Sequence, residues 1–139
     1  MYAVIRVRGN IGVRPQIKGT LKMLKLTRIN QCILVPDTSS MKGMLKTAKD
    51  YITWGEISPE ILPKLLSKRA KKEGKKLDEK EAKDASEVVL KDGLKKSGLS
   101  RVLRLSPPSG GYKSTKTHFP KGDLGYRGEE INKFLEKMM

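Results

Sequence analysis

From Tyr2 to Arg8 apolar and polar positions alternate, with Ala3, Ile5 and Val7 on one side and Val4, Arg6 and Arg8 on the other. This period of two predicts a half-buried strand with one core face and one partly cationic face. Gly9, Asn10 and Gly12 then mark a turn. Pro15 suits the first turn of a helix, where a missing N–H breaks no hydrogen bond, and the helix is expected to run to about Leu26. Ile17, Leu21 and Leu24 recur at helical spacing and should face a sheet. Cys32 to Val35 predicts a second short strand, ended by Pro36 and Asp37. Ser39 or Ser40 offers an N-cap for a helix to about Asp50, with Met41, Met44, Leu45 and Ala48 on one face and Lys42, Lys46 and Lys49 outside. Gly43 should weaken that helix by about 1 kcal/mol relative to Ala. Tyr51 to Trp54, rich in strand formers, completes a strand, helix, strand, helix, strand unit by residue 56.

Residues 57 to 98 change character. Lys, Glu and Asp dominate, with apolar residues at Ile61, Leu62, Leu65, Leu66, Leu77, Val88, Val89, Leu90 and Leu94. The pattern predicts an inserted helical region, with Pro59 starting one helix, the run Lys71 to Lys76 interrupting it at Gly74, and a second helix beginning near Asp78. Val102 to Leu105 predicts a fourth short strand or extended segment, and Glu129 to Met139 a terminal helix. Between them lies a long polar loop punctuated by Gly and Pro. In a small domain such a loop is functional or disordered.

Composition sharpens this outline. The chain has 139 residues, enough for one modest core, with 30 Lys plus Arg against 15 Asp plus Glu and a net charge of +15. That excess points to a polyanionic partner. Its distribution is uneven: residues 1–56 carry ten basic and three acidic side chains, whereas residues 57–98 carry twelve and eight. Salt-bridged helices account for the second balance but not the first. Arg14, Lys18, Lys22 and Lys25 form a stripe along one helix flank, and no acidic residue occurs between Arg8 and Val35. The usual i,i+4 partners are therefore missing; the stripe is either a solvated face or a phosphate contact. The tail offers Lys113, Lys116, Lys121 and Arg127 against Asp123 alone, on a backbone shaped by four glycines. It suits phosphate oxygens, although a mobile linker has the same composition. Its few apolar residues predict a segment that is mobile in the free protein and orders on its polyanionic partner.

Catalytic parts are missing. His118 is the sole histidine, no HExxH, CxxC, GxxxxGK[ST] or GxGxxG pattern occurs, and no metal-ligand spacing can be assembled. Neither an enzyme nor a cofactor or small-molecule site is expected. Cys32 lacks an internal partner and should be a small core residue. No apolar run approaches a membrane span, and the start of the chain lacks a signal-peptide pattern, so a cytosolic protein is expected. Gly9-Asn10-Ile11-Gly12 has the spacing of a backbone-clamping GxxG loop, but it follows a strand where that motif joins two helices, and a turn explains its glycines more simply. The run KRAKKEGKK is either a nucleic-acid contact or a solvated helix end. With few aromatics, binding should rest on charge and backbone shape, leaving Tyr112, His118 and Phe119 as the groups able to stack on an unpaired base.

Three stretches, RVRGNIGVRPQIKGTLKMLKLTRINQCILV, SSMKGMLKTAKDYITWGE and SPPSGGYKSTKTHFPKGDLGYRGEEIN, together resemble the L-thirty family of large-subunit ribosomal proteins. The first 56 residues resemble the short core shared with bacterial members, and the insertion and tail resemble the longer archaeal and eukaryotic form. The start at Met1, without the basic extension of eukaryotic relatives, makes an archaeal source the expectation. The resemblance implies an α+β fold in which a small sheet is covered by two helices, similar to a truncated ferredoxin-like core. Residues 1–56 would be the RNA-binding core, 57–98 the helical insertion, and 99–139 a strand, a basic Gly-rich loop and a C-terminal helix. It also implies a structural, non-catalytic constituent of the large subunit, partnered by ribosomal RNA and neighbouring ribosomal proteins. Where motif and charge agree, Arg6, Arg8, Arg14, Lys18, Lys22 and Arg28 at the strand-turn-helix end, and Lys113, Lys116, Thr117, His118 and Arg127 in the tail, are the expected RNA contacts. The competing reading is a general basic nucleic-acid-binding or DNA-packing protein, which shares the charge but requires neither the tail motif nor a defined RNA.

Overall fold

A computed structural model describes residues 1–72, 74–92 and 97–139. Glu73 and Leu94, named in the sequence patterns above, lie outside the described residues. The first strands and helices follow the predicted order: β1 (Tyr2–Arg6), α1 (Pro15–Met23), β2 (Gln31–Val35), α2 (Ser39–Thr47) and β3 (Ile52–Glu56). They are followed by α3 (Ile61–Arg69), β4 (Lys71–Lys72), β5 (Lys75–Lys76), α4 (Glu79–Asp92), β6 (Leu103–Arg104), β7 (Gly125–Tyr126) and α5 (Ile131–Met138), with a single 3-10 turn at Gly128–Glu130 before α5. The main sheet has the order β6-β2-β1-β3-β7. β1 runs antiparallel to β2 and β3, pairing Ile5 with Cys32 and Arg6 with Ile52, and β7 runs parallel to β3, pairing Thr53 with Gly125.

Helices cover both faces of this sheet. Tyr2 and Val4 pack with Leu21, Leu24, Leu45 and Ala48 of the α1 and α2 region, the two covering helices expected from the sequence. Ala3 and Ile5 pack on the opposite side, with Leu62, Leu65 and Leu66 of α3, Ala82 and Val89 of α4, and Ile131 and Leu135 of α5. β1 is consequently buried at all five positions and has no cationic solvent face, which corrects the half-buried strand predicted from its alternation. Each fully buried Leu or Ile contributes about 1.5–3 kcal/mol of transfer free energy. A central strand flanked by two apolar layers therefore anchors the fold.

Several boundaries differ from the sequence pattern for local reasons. α1 stops at Met23 instead of Leu26 because Lys25 adopts φ +58°, and the amides of Leu26 and Lys25 return to the carbonyls of Leu21 and Lys22. This is a Schellman closure with Lys in the position usually held by Gly. α2 is capped by Thr38, whose extended backbone lets Oγ1 accept from Met41 N at 3.3 Å; Ser39 and Ser40 are already helical. α3 starts at Ile61, after a turn in which Ser58 O accepts from Ile61 N and Leu62 N, and Pro63 fits its first turn. In the basic run after α3, β4 and β5 pair antiparallel, with Lys71 facing Lys76 and Lys72 facing Lys75. Gly55 is required by close packing, since a Cβ there would meet Gly128 O at 2.0 Å.

Candidate nucleic-acid interface

The antiparallel order brings the C-terminal end of β1 to the N-terminal ends of β2 and β3. The turn 7–14, the segment 27–30 and the residues before β3 therefore occupy one end of the sheet. The tail is fastened to that same end at two points. Tyr112 OH donates to Asn30 Oδ1, while Asn30 N donates to Arg6 O at 2.8 Å and Asn30 O accepts from Leu105 N at 2.9 Å. Burial pushes the Tyr112 hydroxyl up to about 12, which extends its range as a donor into alkaline pH. Further along, His118 Nε2 lies 3.1 Å from Asp50 Oδ1. Arg8 reaches the same residue from the other side, directing Nη1 at Asp50 O at 3.4 Å with its guanidinium 5.0 Å from the Tyr51 ring centroid.

Inside the tail the ties are polar. Asp123 Oδ2 accepts from the amides of Lys113 and Ser114, and Asp123 Oδ1 accepts from Arg127 Nη2 at 2.8 Å. Arg127 Nε donates to Thr53 Oγ1 at 3.1 Å, and its guanidinium stands 4.3 Å from the Phe134 ring centroid. A Cβ on Gly122 would meet Thr117 O at 2.1 Å, so the loop folds onto itself there. These ties form a scaffold that the tail's sparse apolar content does not show. One carboxylate collects two backbone donors and one guanidinium.

The expected contact residues divide into three groups. Arg14, Lys18, Lys22, Arg28, Lys113, Lys116, Thr117 and His118 are exposed, and Arg8 is half-buried. Lys113, Lys116, Thr117, His118, Arg8 and Arg28 gather at the fastened end. Lys18 and Lys22 extend from it along α1. Arg6 and Arg127 differ from the expectation: Arg6 is 1% exposed and Arg127 9%, and neither presents its guanidinium to solvent. Arg6 donates to Leu26 O, Arg8 O, Gly9 O and Asn10 Oδ1 at 2.6–2.9 Å. Burial lowers the pKa of Arg6 from the usual arginine value, and the four acceptors compensate the lost water. Both arginines brace these loops from within. The sequence reading did not single out Asn30, Asp50 or Tyr51 as anchors, because their roles depend on which loops the sheet brings together.

No cluster of three or more His, Cys, Asp or Glu able to hold a metal occurs among the described residues, and none of their helices is long and apolar enough to cross a membrane. Comparisons with known proteins agree with the architecture. The family model described as Ribosomal protein L30p/L7e matches residues 2–52. Large ribosomal subunit protein uL30 of Methanosphaera stadtmanae is 47% identical, with all of both chains covered. The proteins of the same name from Archaeoglobus fulgidus and Nanoarchaeum equitans are 41% and 43% identical, covering 99% of both chains in the first case and 97% of this chain and 96% of the relative in the second. Full-length identity at this level, on an α+β sheet built as that family's core would require, means that the chain belongs to the uL30 family of large-subunit ribosomal proteins, structural constituents and not enzymes.

Proposed function

We propose that this protein is a structural constituent of the large ribosomal subunit that holds ribosomal RNA through phosphate and shape contacts at the fastened end of its sheet. The observation that carries this reading is the meeting of Arg8 and His118 on Asp50. It ties together two basic segments far apart in sequence, one carrying Arg8 and Arg28 and the other Lys113 and Lys116. Their donors fix position on an RNA backbone and carry little base information. Arg8, Arg14, Arg28, Lys113, Lys116, Thr117 and His118 form the central contact set, with Lys18 and Lys22 extending it along α1. Arg6 and Arg127 support it from below. Neighbouring ribosomal proteins would complete its surroundings in the assembled subunit.

The test is binding to RNA extracted from archaeal large subunits, measured across a salt series. About six to ten phosphate contacts predict a loss of roughly 10³ to 10⁵ in affinity between 50 and 200 mM salt. A flat response would overturn the reading. Equal displacement by duplex DNA and by the folded RNA would favour a general nucleic-acid packing role instead.

A further inference from the structure

The turn Gly9–Gly12 carries an apolar side chain that the phosphate reading leaves without a role. Ile11 is 100% exposed, the most exposed large apolar residue among those described, and Gly12 beside it adopts φ +68°. Isolated apolar side chains on a surface are ordinary. This one differs in how its support is built. The buried Arg6 guanidinium holds Gly9 O at 2.9 Å and Asn10 Oδ1 at 2.6 Å, while Asn10 Nδ2 donates to Thr27 O at 3.0 Å. A scarce buried arginine and an asparagine thus fix the two residues that precede Ile11, and the Asn10–Thr27 link sets Ile11 one residue from a tie whose other side leads directly into Arg28 and Ile29. Ile29 is itself 52% exposed.

From this geometry we propose that Ile11, seconded by Ile29, is a contact for an unstacked nucleobase of the RNA, so that the site recognises an unpaired or extruded base and not a continuous duplex. The inference rests on the RNA-binding reading above. Its physical basis is the surface RNA offers to an aliphatic side chain. Phosphates and ribose hydroxyls are polar, and in a helix the base faces are covered by their neighbours; only a base out of the stack presents an apolar face. Arg8, Arg14 and Arg28 around the turn hold the flanking phosphates, leaving Ile11 to meet the base between them. The hydrogen bonds of Arg6 to Arg8 O, Gly9 O and Asn10 Oδ1 give the turn a fixed shape before binding, so little ordering cost opposes the contact.

The full-length chain and its Ile11→Ala and Ile11→Leu variants are compared on RNA extracted from archaeal large subunits, over the same salt series and with base-reactive chemical probing. Because Ile11 touches nothing in the fold, circular dichroism should be unchanged in both. Ile11→Ala should weaken binding roughly 50-fold, as removal of three buried carbons implies, with an unaltered salt slope. Ile11→Leu should stay within about threefold of the parent on the same reasoning. At least one unpaired base protected by the parent should regain reactivity with Ile11→Ala. If the parent binds with a steep salt slope and Ile11→Ala matches it within about twofold, the base contact is wrong while the RNA-binding reading stands. Normal binding of Ile11→Ala to bare RNA, combined with its loss from assembled subunits, would assign Ile11 to a protein pocket and also overturn the proposal. A parent chain with no affinity for the RNA removes both.

Discussion

Asp123 and Arg127 form an ion pair of 2.8 Å, one helical turn apart in sequence, with both side chains almost fully removed from solvent. Asp123 also receives the amides of Lys113 and Ser114. Removing either partner leaves a buried charge without its counter-ion. Asp123→Ala should destabilise the protein by about 3–5 kcal/mol in urea unfolding. Amide exchange should accelerate through residues 112–124 before the rest of the chain. A stability loss below about 1 kcal/mol, of the size seen for exposed pairs, would reduce the pair to a surface contact.

The glycines should separate by their surroundings. Gly122→Ala places a Cβ 2.1 Å from Thr117 O, and Gly55→Ala places one 2.0 Å from Gly128 O, in both cases against backbone that cannot swing aside. Each should cost more than about 2 kcal/mol, the overpacking range. Gly19 and Gly43 lie inside α1 and α2, with nothing within 4 Å of an added Cβ. Alanine there should stabilise by about 0.5–1 kcal/mol. Thermal unfolding of the four single variants would reveal whether the contrast holds.

Alkaline titration has a defined sign. Burial pushes the Cys32 thiol from 9.0 up to about 12 and the Tyr112 hydroxyl from 10.0 up to about 12. Both groups hold their protons longer in the folded chain than in the unfolded one. Their contribution to stability is therefore complete below pH 9 and falls progressively as pH rises toward 12. A thiol-specific reagent at pH 8 should leave Cys32 unmodified in the native protein and modify it on addition of denaturant. Rapid native labelling would contradict its burial.

Charge at the proposed interface should act on binding and leave folding alone. Replacing Lys113, Lys116 and His118 by Ala should leave circular dichroism unchanged and lower the salt slope of RNA binding by about two, since each neutralised phosphate contributes separately. Incorporation into the large subunit should fall in parallel. Unchanged slope and incorporation would remove the tail from the interface.

Periodicity made the first three strands and two helices legible, because each buries a stripe and shows it in the sequence. The burial of β1 on its second face could not be read this way. Arg6 in an alternating strand reads as a solvent-facing cation, and the carbonyls of Leu26, Arg8 and Gly9 that receive it form no side-chain pattern. For Arg127 the signal was present. Asp123 is the lone acidic residue between Ser106 and Arg127 and stands four positions before it. Reading the segment by composition alone counted that pairing as leftover charge. The anchors Asn30 and Asp50 became visible only once the sheet order set the loops side by side.

The last partner of β3 arrives late. Thr53 Oγ1 accepts from Arg127 and donates to Gly125 O at 3.0 Å, a bond closed across a sequence separation of 72. During synthesis the first three strands can meet as soon as residue 56 has emerged, but that sheet edge stays open until the whole insertion and the basic loop have followed it. An exposed edge on a nascent chain is a site for wrong pairing. In this topology the segment carrying the cationic loop is also the one that seals the edge, so the chain completes the proposed binding surface and its protection against mispairing in the same event.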